Sequence, residues 1–193
     1  MSKKIKLTIE LIPKTCHYSN VRSMVKPKEW DKIRFISYKN ANNKCEICKQ
    51  AGKDQGYKHD VECHEIWEYD EENKIQKLAG LITLCPTCHL VKHIGRAIAM
   101  GRQQICFTKL NEVNNWTLEQ ITEHIDHSFV IHKERSKHQW TLDISLLNEE
   151  PYSLNLTLGG KRKFNKATWK KKKRKVVKRK TPRGKRPKKT KKP

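Results

Sequence analysis

The chain has 193 residues, 43 of them Lys or Arg and 20 Asp or Glu, a formal net charge of +23, with 35% hydrophobic and 33% charged residues. That length allows one compact domain with a tail, or two small domains. The longest apolar runs, within Leu78–Leu84 and Ala97–Met100, fall far short of the roughly 20 residues a bilayer crossing needs, which excludes a helical membrane span, and the charged Met1–Glu10 stretch has no apolar core, so no secretory signal is expected.

In chain order, Ile5, Leu7, Ile9 and Leu11 alternate with Lys6, Thr8 and Glu10, which predicts a half-buried strand over 5–11. Pro27 opens a predicted helix to about Lys39, with Trp30, Ile33 and Ile36 spaced by three. Residues 49–59 read as a Gly/Lys/Asp loop. A strand follows over 61–67, with Val61, Cys63, Glu65 and Trp67 on one side and Glu62, His64 and Ile66 on the other. Residues 70–76 are a polar connection to a second, more apolar strand over 77–84. Cys85 turns the chain into a short helix from Pro86 to His93, ended by Gly95. Two further helical patterns come next. The first spans about 102–113 with Ile105, Leu110 and Val113. The second spans about 118–134, with Thr117 as N-cap, Gln120 at the capping-box position, and the apolar residues Leu118, Ile121, Ile125 and Phe129. A last strand is expected where Trp140, Leu142, Ile144 and Leu146 alternate with Thr141, Asp143 and Ser145. A linker over 148–160 closes on Gly159 and Gly160.

The predicted fold is therefore α+β: a β-hairpin and helix with flanking helices and short strands. Four segments are expected: residues 1–40 packing on the core, 41–95 as the central module, 96–158 as a helical extension, and 159–193 as a tail. Residues 161–193 hold 20 Lys/Arg and no acidic residue, which leaves 23 basic and 20 acidic residues, a net of +3, in 1–160. Such a block cannot bury enough apolar surface to offset its ordering entropy, so it is expected to be disordered when free. Its natural partner is a polyanion, above all nucleic acid. The densest run, Lys170, Lys171, Lys172, Lys173, Arg174 and Lys175 with Lys178, Arg179 and Lys180, is the candidate nucleic-acid contact. Lys170–Val176 resembles a nuclear-import signal. That implies a nuclear location in a eukaryote, and a cytoplasmic, nucleoid-associated one in a prokaryote or phage.

Seven cysteines stand at 16, 45, 48, 63, 85, 88 and 106. An odd number without a secretory signal argues against a disulfide framework. Cys45/Cys48 and Cys85/Cys88 are two C-x2-C turns with 36 residues between them. Each turn presents two thiolates about one tetrahedral edge apart, and two turns complete an S4 structural zinc site. A haem-attachment reading of Cys85–His89 or a redox reading of Cys85-Pro-Thr-Cys88 explains only one pair. Cys16 and Cys106 read as small buried hydrophobes. Trp30, Trp67, Tyr69, Trp116 and Trp140 read as packing residues, and His124/His127 as a weak second metal candidate.

His89 and His93 are four apart on the short helix and so lie on one face, the usual geometry for two imidazoles sharing a metal. The other reading makes His89 a fifth zinc candidate and His93 a solvated helix end. His64, in the first hairpin strand, can approach whatever these two hold. The order C-x2-C, then His in a strand, then Leu-Cys-x-x-Cys-His-x-x-x-His, over Cys45–His93, resembles an HNH endonuclease with the treble-clef or ββα-metal fold, in particular a phage and bacterial branch. Val61-Glu-Cys-His-Glu-Ile-Trp67 and Gly80–His93 carry the likeness.

The resemblance implies metal-dependent hydrolysis of phosphodiester bonds, with double-stranded DNA as substrate. It implies His64 as general base, His89 and His93 as ligands of a catalytic divalent metal (Mg2+, Mn2+ or Zn2+), and Cys45, Cys48, Cys85 and Cys88 as ligands of structural zinc. Two positions depart from the family pattern. Cys63 stands where a hard metal ligand is usual; either it binds a softer metal, or it is a core residue and Glu62, Glu65 or Asp60 supplies an oxygen. Gly80 aligns with the family's middle Asn, so orientation of the base falls to another residue such as Asn73, or is absent. The alternative function is a non-catalytic zinc-containing nucleic-acid-binding protein. The sequence leaves the oligomeric state open.

Overall fold

The computed structural model describes residues 7–154, which form a mixed α+β fold of six α-helices and a three-stranded sheet. The helices are α1 (Val21–Met24), α2 (Pro27–Asn40), α3 (Pro86–Lys92), α4 (Ile94–Ala99), α5 (Gln103–Asn114) and α6 (Leu118–Arg135). Strands β1 (Glu62–Asp70) and β2 (Ile75–Leu84) form an antiparallel hairpin in which His64 faces Ile82, and β3 (Thr141–Asp143) pairs parallel to β2 at the outer edge. The Asp70 carboxylate closes the hairpin turn by accepting from the Glu72 and Asn73 backbone N–H groups and the Asn73 side chain at 2.8–3.0 Å. An Asx turn of this kind gives the backbone a local partner that a short polar connection otherwise lacks.

The helix signals hold at α2, at α5, and at α6, where Thr117 and Gln120 form the expected capping box. Three expectations need correction. Residues 5 and 6 lie outside the described residues; over 7–12 Leu7 and Ile9 are buried as the alternation predicts, but among the described residues the segment joins no strand. Its backbone is bonded to side chains and to a helix end instead. Asn114 accepts from Leu7 N at 3.1 Å and donates to Leu7 O at 2.7 Å. His124 Nε2 accepts from Ile9 N at 3.0 Å, and Glu10 N donates to Lys92 O at 3.1 Å. These partners lie some 80 to 115 positions away, beyond the reach of periodicity.

The second correction concerns the helix after Cys85. It breaks at His93 (φ −108°, ψ 45°), restarts as α4 through Gly95, and stops at Gly101, whose φ of +66° is the left-handed region that favours glycine. Third, the last strand covers only Thr141–Asp143 before a 3₁₀ turn, Ser145–Asn148, that buries Leu147. Helix α1, capped by Asn20, carries no periodic signal in its four residues.

Two apolar cores hold the body together. One gathers Leu7, Ile9, Leu84, Val91, Ile94, Leu110, Ile121 and Ile125 with three of the paired cysteines. The other gathers Val21, Val25, Ile33, Leu78, Leu147 and Leu154. Strand β2 supplies Leu84 to the first and Leu78 to the second, so the hairpin is tied into both. Burying each such aliphatic side chain contributes about 1.5–3 kcal/mol. Both cores draw on residues from more than one of the expected segments below residue 159, which therefore fold as one body. Among the described residues no helix is long and apolar enough to cross a membrane. The expected tail over 159–193, with Lys170–Lys180, lies outside the described residues.

Candidate metal centre

Cys45 and Cys48 sit in the turn after α2, where Cys45 N donates to Gln50 O at 3.1 Å and Lys49 N to Cys45 O at 2.9 Å. Cys85 caps α3, its Sγ accepting from Cys88 N at 3.5 Å, and Pro86 occupies the first helical turn where no N–H is needed. The fold brings all four sulfurs within 4.8 Å of one another, with Cys48 Sγ 3.5 Å from Cys85 Sγ and no disulfide formed. Hydrogen bonds from Cys48, Cys85 and Cys88 hold Cys45 far below the ordinary thiol range. The neighbouring Cys45, Cys48 and Cys85 push Cys88 up. Four sulfurs crowded this closely, three of them buried and Cys48 half-buried, share protons poorly and suit a cation, and an all-sulfur tetrahedral donor set suits zinc. This cluster can hold a structural metal ion such as zinc. The buried Lys109 ammonium lies beside it, fixed by Gln50 Oε1 and Glu112 Oε2 at 3.0 Å each.

The second cluster is the histidine trio. His64 of β1, His89 of α3 and His93 at the helix break present nitrogens all within 4.8 Å of one another. The rings stand edge to face with centroids 5.2 Å (64–89), 5.1 Å (64–93) and 4.8 Å (89–93) apart, and His89 Nε2 is 3.1 Å from His93 Nε2. Spacing of four on α3 stacks the two helix imidazoles, and the pleat of β1 turns His64 toward them.

Each outer edge of the trio is held by a carboxylate. Glu62 is hydrogen-bonded to His89 Nδ1 and, at 2.9 Å, to His59 Nε2. The His89 hydrogen bond holds the Glu62 carboxyl at about 2 against the effect of burial. Glu10 Oε2 lies 2.9 Å from His64 Nε2, and its other oxygen is bonded to the Lys92 ammonium, which also reaches Thr8 Oγ1 at 3.1 Å. Burial would raise the Glu10 carboxyl, but the His64 hydrogen bond and the Lys92 charge outweigh it and hold it at about 2. Burial lowers His64 against the pull of Glu10, and burial with the two neighbouring imidazoles lowers His93 to about 3. Both rings are thus neutral at neutral pH, with a lone pair to offer a proton or an ion. Carboxylate–histidine pairs of this kind are how protein metal sites fix ligand tautomers, so three imidazoles with two such partners fit a divalent ion.

Cys63 is not among the residues brought together. Its thiol is pushed up to about 12 by burial and is hydrogen-bonded to Ser37 of α2. Of the alternative oxygens, Glu65 accepts from Val21 N at 2.9 Å and Asp60 from Lys53 Nζ at 3.0 Å, while Glu62 touches the trio through His89. Asn73 does not orient His64. It lies in the turn beyond Asp70, the residue that ends β1 six positions from His64, about 20 Å of strand away. The residue at His64 is Glu10.

Trp67, Trp30 and Trp116 pack on the two cores, and Trp140 meets the Tyr69 ring edge-on at 5.0 Å. Cys16 and Cys106 are buried. His124 is engaged by Ile9 and the Trp116 ring; among the described residues the thiol cluster and the trio are the two groups with metal-ligand geometry. A cleft of about 750 Å3 opens onto the trio, with Trp30, Trp67 and Phe129 in its walls and Arg22 and Arg96 at its edges. Comparison with protein-family models, with curated proteins and with solved structures finds no match to this chain.

Proposed function

We propose that this chain is a metal-dependent phosphodiester hydrolase of the HNH type acting on DNA. One observation carries the reading: His64 of β1, His89 of α3 and His93 at the end of that helix converge at a cleft, beside a separate four-thiol cluster that draws Cys85 and Cys88 from the start of the same helix. Binding alone does not require that trio. An ion held by His89 and His93 would supply Lewis-acid stabilisation of the charge that gathers on the phosphate in the transition state. His64, buried and neutral, accepts the proton of the attacking water as the new oxygen–phosphorus bond forms in line with the departing 3′-oxygen. Arg22 and Arg96, at the edges of the cleft, steer the phosphodiester backbone toward the trio. The 20 cationic residues of 161–193 add sequence-independent affinity that falls steeply with salt.

The test is nicking of supercoiled plasmid by the full chain in Mg2+, Mn2+ or Zn2+, beside His64→Ala. Removing a general base lowers the rate by about 10²–10⁴, while salt-dependent DNA binding stays. If DNA is bound but no metal supports nicking by the wild type, or if His64→Ala nicks as fast, the chain is a nucleic-acid-binding module and the hydrolase reading fails.

A further inference from the structure

We infer that Glu10, 54 positions before His64 and outside the hairpin–helix, is the positioning residue that fixes the His64 imidazole in its Nε2–H tautomer, leaving the lone pair on Nδ1. The catalytic consequence rests on the reading of His64 as proton acceptor; the tautomer assignment stands without it.

Leu7 and Ile9 are buried, so Thr8 and Glu10 project from the opposite face of the segment. Glu10 N donates to Lys92 O at 3.1 Å, which pins this residue's backbone to the end of α3. Its two carboxylate oxygens then serve different partners, Lys92 Nζ and His64 Nε2. Lys92 is only 5% exposed, so its ammonium needs an ionised partner, and Glu10 is the carboxylate bonded to it. An ionised carboxylate can only accept hydrogen bonds. The nitrogen 2.9 Å from it must therefore be the donor, and a neutral ring that donates from Nε2 carries its lone pair on Nδ1. His64 is 3% exposed, and Glu10 Oε2 is the partner of this nitrogen. The same carboxylate joins the N-terminal segment, β1 and α3, the three elements whose mutual placement sets the trio.

The decisive variant is Glu10→Gln. It keeps the size of the side chain and an oxygen for Lys92, but turns an NH2 group toward His64 Nε2. That nitrogen must then accept, and the proton moves to Nδ1. The readout is 15N–1H correlation across the imidazole rings of the full chain in Mg2+ at pH 8, with the His64 resonances identified by their loss in His64→Gln. The expected result is Nε2–H in the wild type and Nδ1–H in Glu10→Gln. In plasmid nicking kcat falls by roughly 10–100-fold, as for other residues that orient a functional histidine, with KM within about twofold.

A merely structural Glu10 would leave the tautomer unchanged and alter melting alone. Retention of Nε2–H in Glu10→Gln, or Nδ1–H in the wild type, overturns the proposal. Should Glu10→Gln not fold, the wild-type spectrum alone decides the assignment. If the tautomer switches as expected while no protein nicks DNA, the positioning role stands and the hydrolase reading falls.

Discussion

Glu65, next to His64 on β1, gives the sharpest stability prediction. Its carboxylate accepts from Val21 N at 2.9 Å, with further hydrogen bonds from the Arg22 backbone and the Trp67 side chain. Burial nevertheless outweighs these donors and lifts the group from an ordinary 4.5 to about 7. A carboxyl raised on folding stabilises the native state below its unfolded value and loses that contribution as pH climbs through the folded one. Each pH unit in that window is worth about 1.4 kcal/mol. Between pH 4 and pH 8 the wild type should therefore give up about 3 kcal/mol through this one residue. Glu65→Gln keeps an acceptor for Val21 and cannot ionise. The variant should match the wild type near pH 4 and exceed it by about 3 kcal/mol at pH 8. Urea unfolding of both proteins across pH 4–8 measures this, and the difference between the two curves cancels the histidine and cysteine titrations they share. Curves that run parallel over the whole range would refute the claim that Glu65 is held in a site dry enough to keep it protonated.

Two further substitutions probe the clamp and the N-terminal anchor. Cys88→Ser should lower bound zinc from about one ion per chain to a small fraction by elemental analysis, and cooperative melting should be lost, because the binding energy of a structural zinc is folding energy; unchanged zinc content with an intact transition would remove the clamp. Asn114→Leu deletes both hydrogen bonds to the Leu7 backbone in a buried setting, so at about 1–2 kcal/mol for each stranded group it should cost about 2–4 kcal/mol in urea unfolding; a loss under 0.5 kcal/mol would show that residue 7 is held by its side chain alone.

The local chemistry of this chain is legible because its determinants are close in sequence. Two C-x2-C turns set the thiol geometry, Thr117 and Gln120 cap α6, and His89 and His93 share a face of α3 through helical periodicity. What the sequence conceals is long-range and polar. The alternation of residues 5–11 signals an extended, one-side-buried segment but not its partners, since Asn114, His124 and Lys92 offer hydrogen bonds in place of a neighbouring strand. Glu10 therefore stands among the even-numbered polar positions with nothing to mark it as a neighbour of His64. Cys63 sits beside His64 in sequence and lines the same cleft, but its thiol is hydrogen-bonded to Ser37 and is not grouped with the three imidazoles.

Helix α3 explains why a thiol cluster and a histidine cluster occur together. It has seven residues, and in water a helix that short is unstable by itself, because the cost of nucleation is spread over too few hydrogen bonds. Its first turn carries Cys85 and Cys88, and its last carries His89 and leads into His93. Tying the first turn to Cys45 and Cys48 fixes the helix axis at one end. The Glu10 bridge to Lys92 and the buried Val91 and Ile94 fix it at the other. The trio is thereby built on an element that cannot fray without breaking either the thiol cluster or the apolar core. Donor type keeps the two clusters distinct, since four sulfurs suit a softer ion than imidazole nitrogens do. Loss of the clamp should consequently disperse the imidazoles even though they form a separate cluster, whereas loss of an imidazole should leave the clamp and the fold in place.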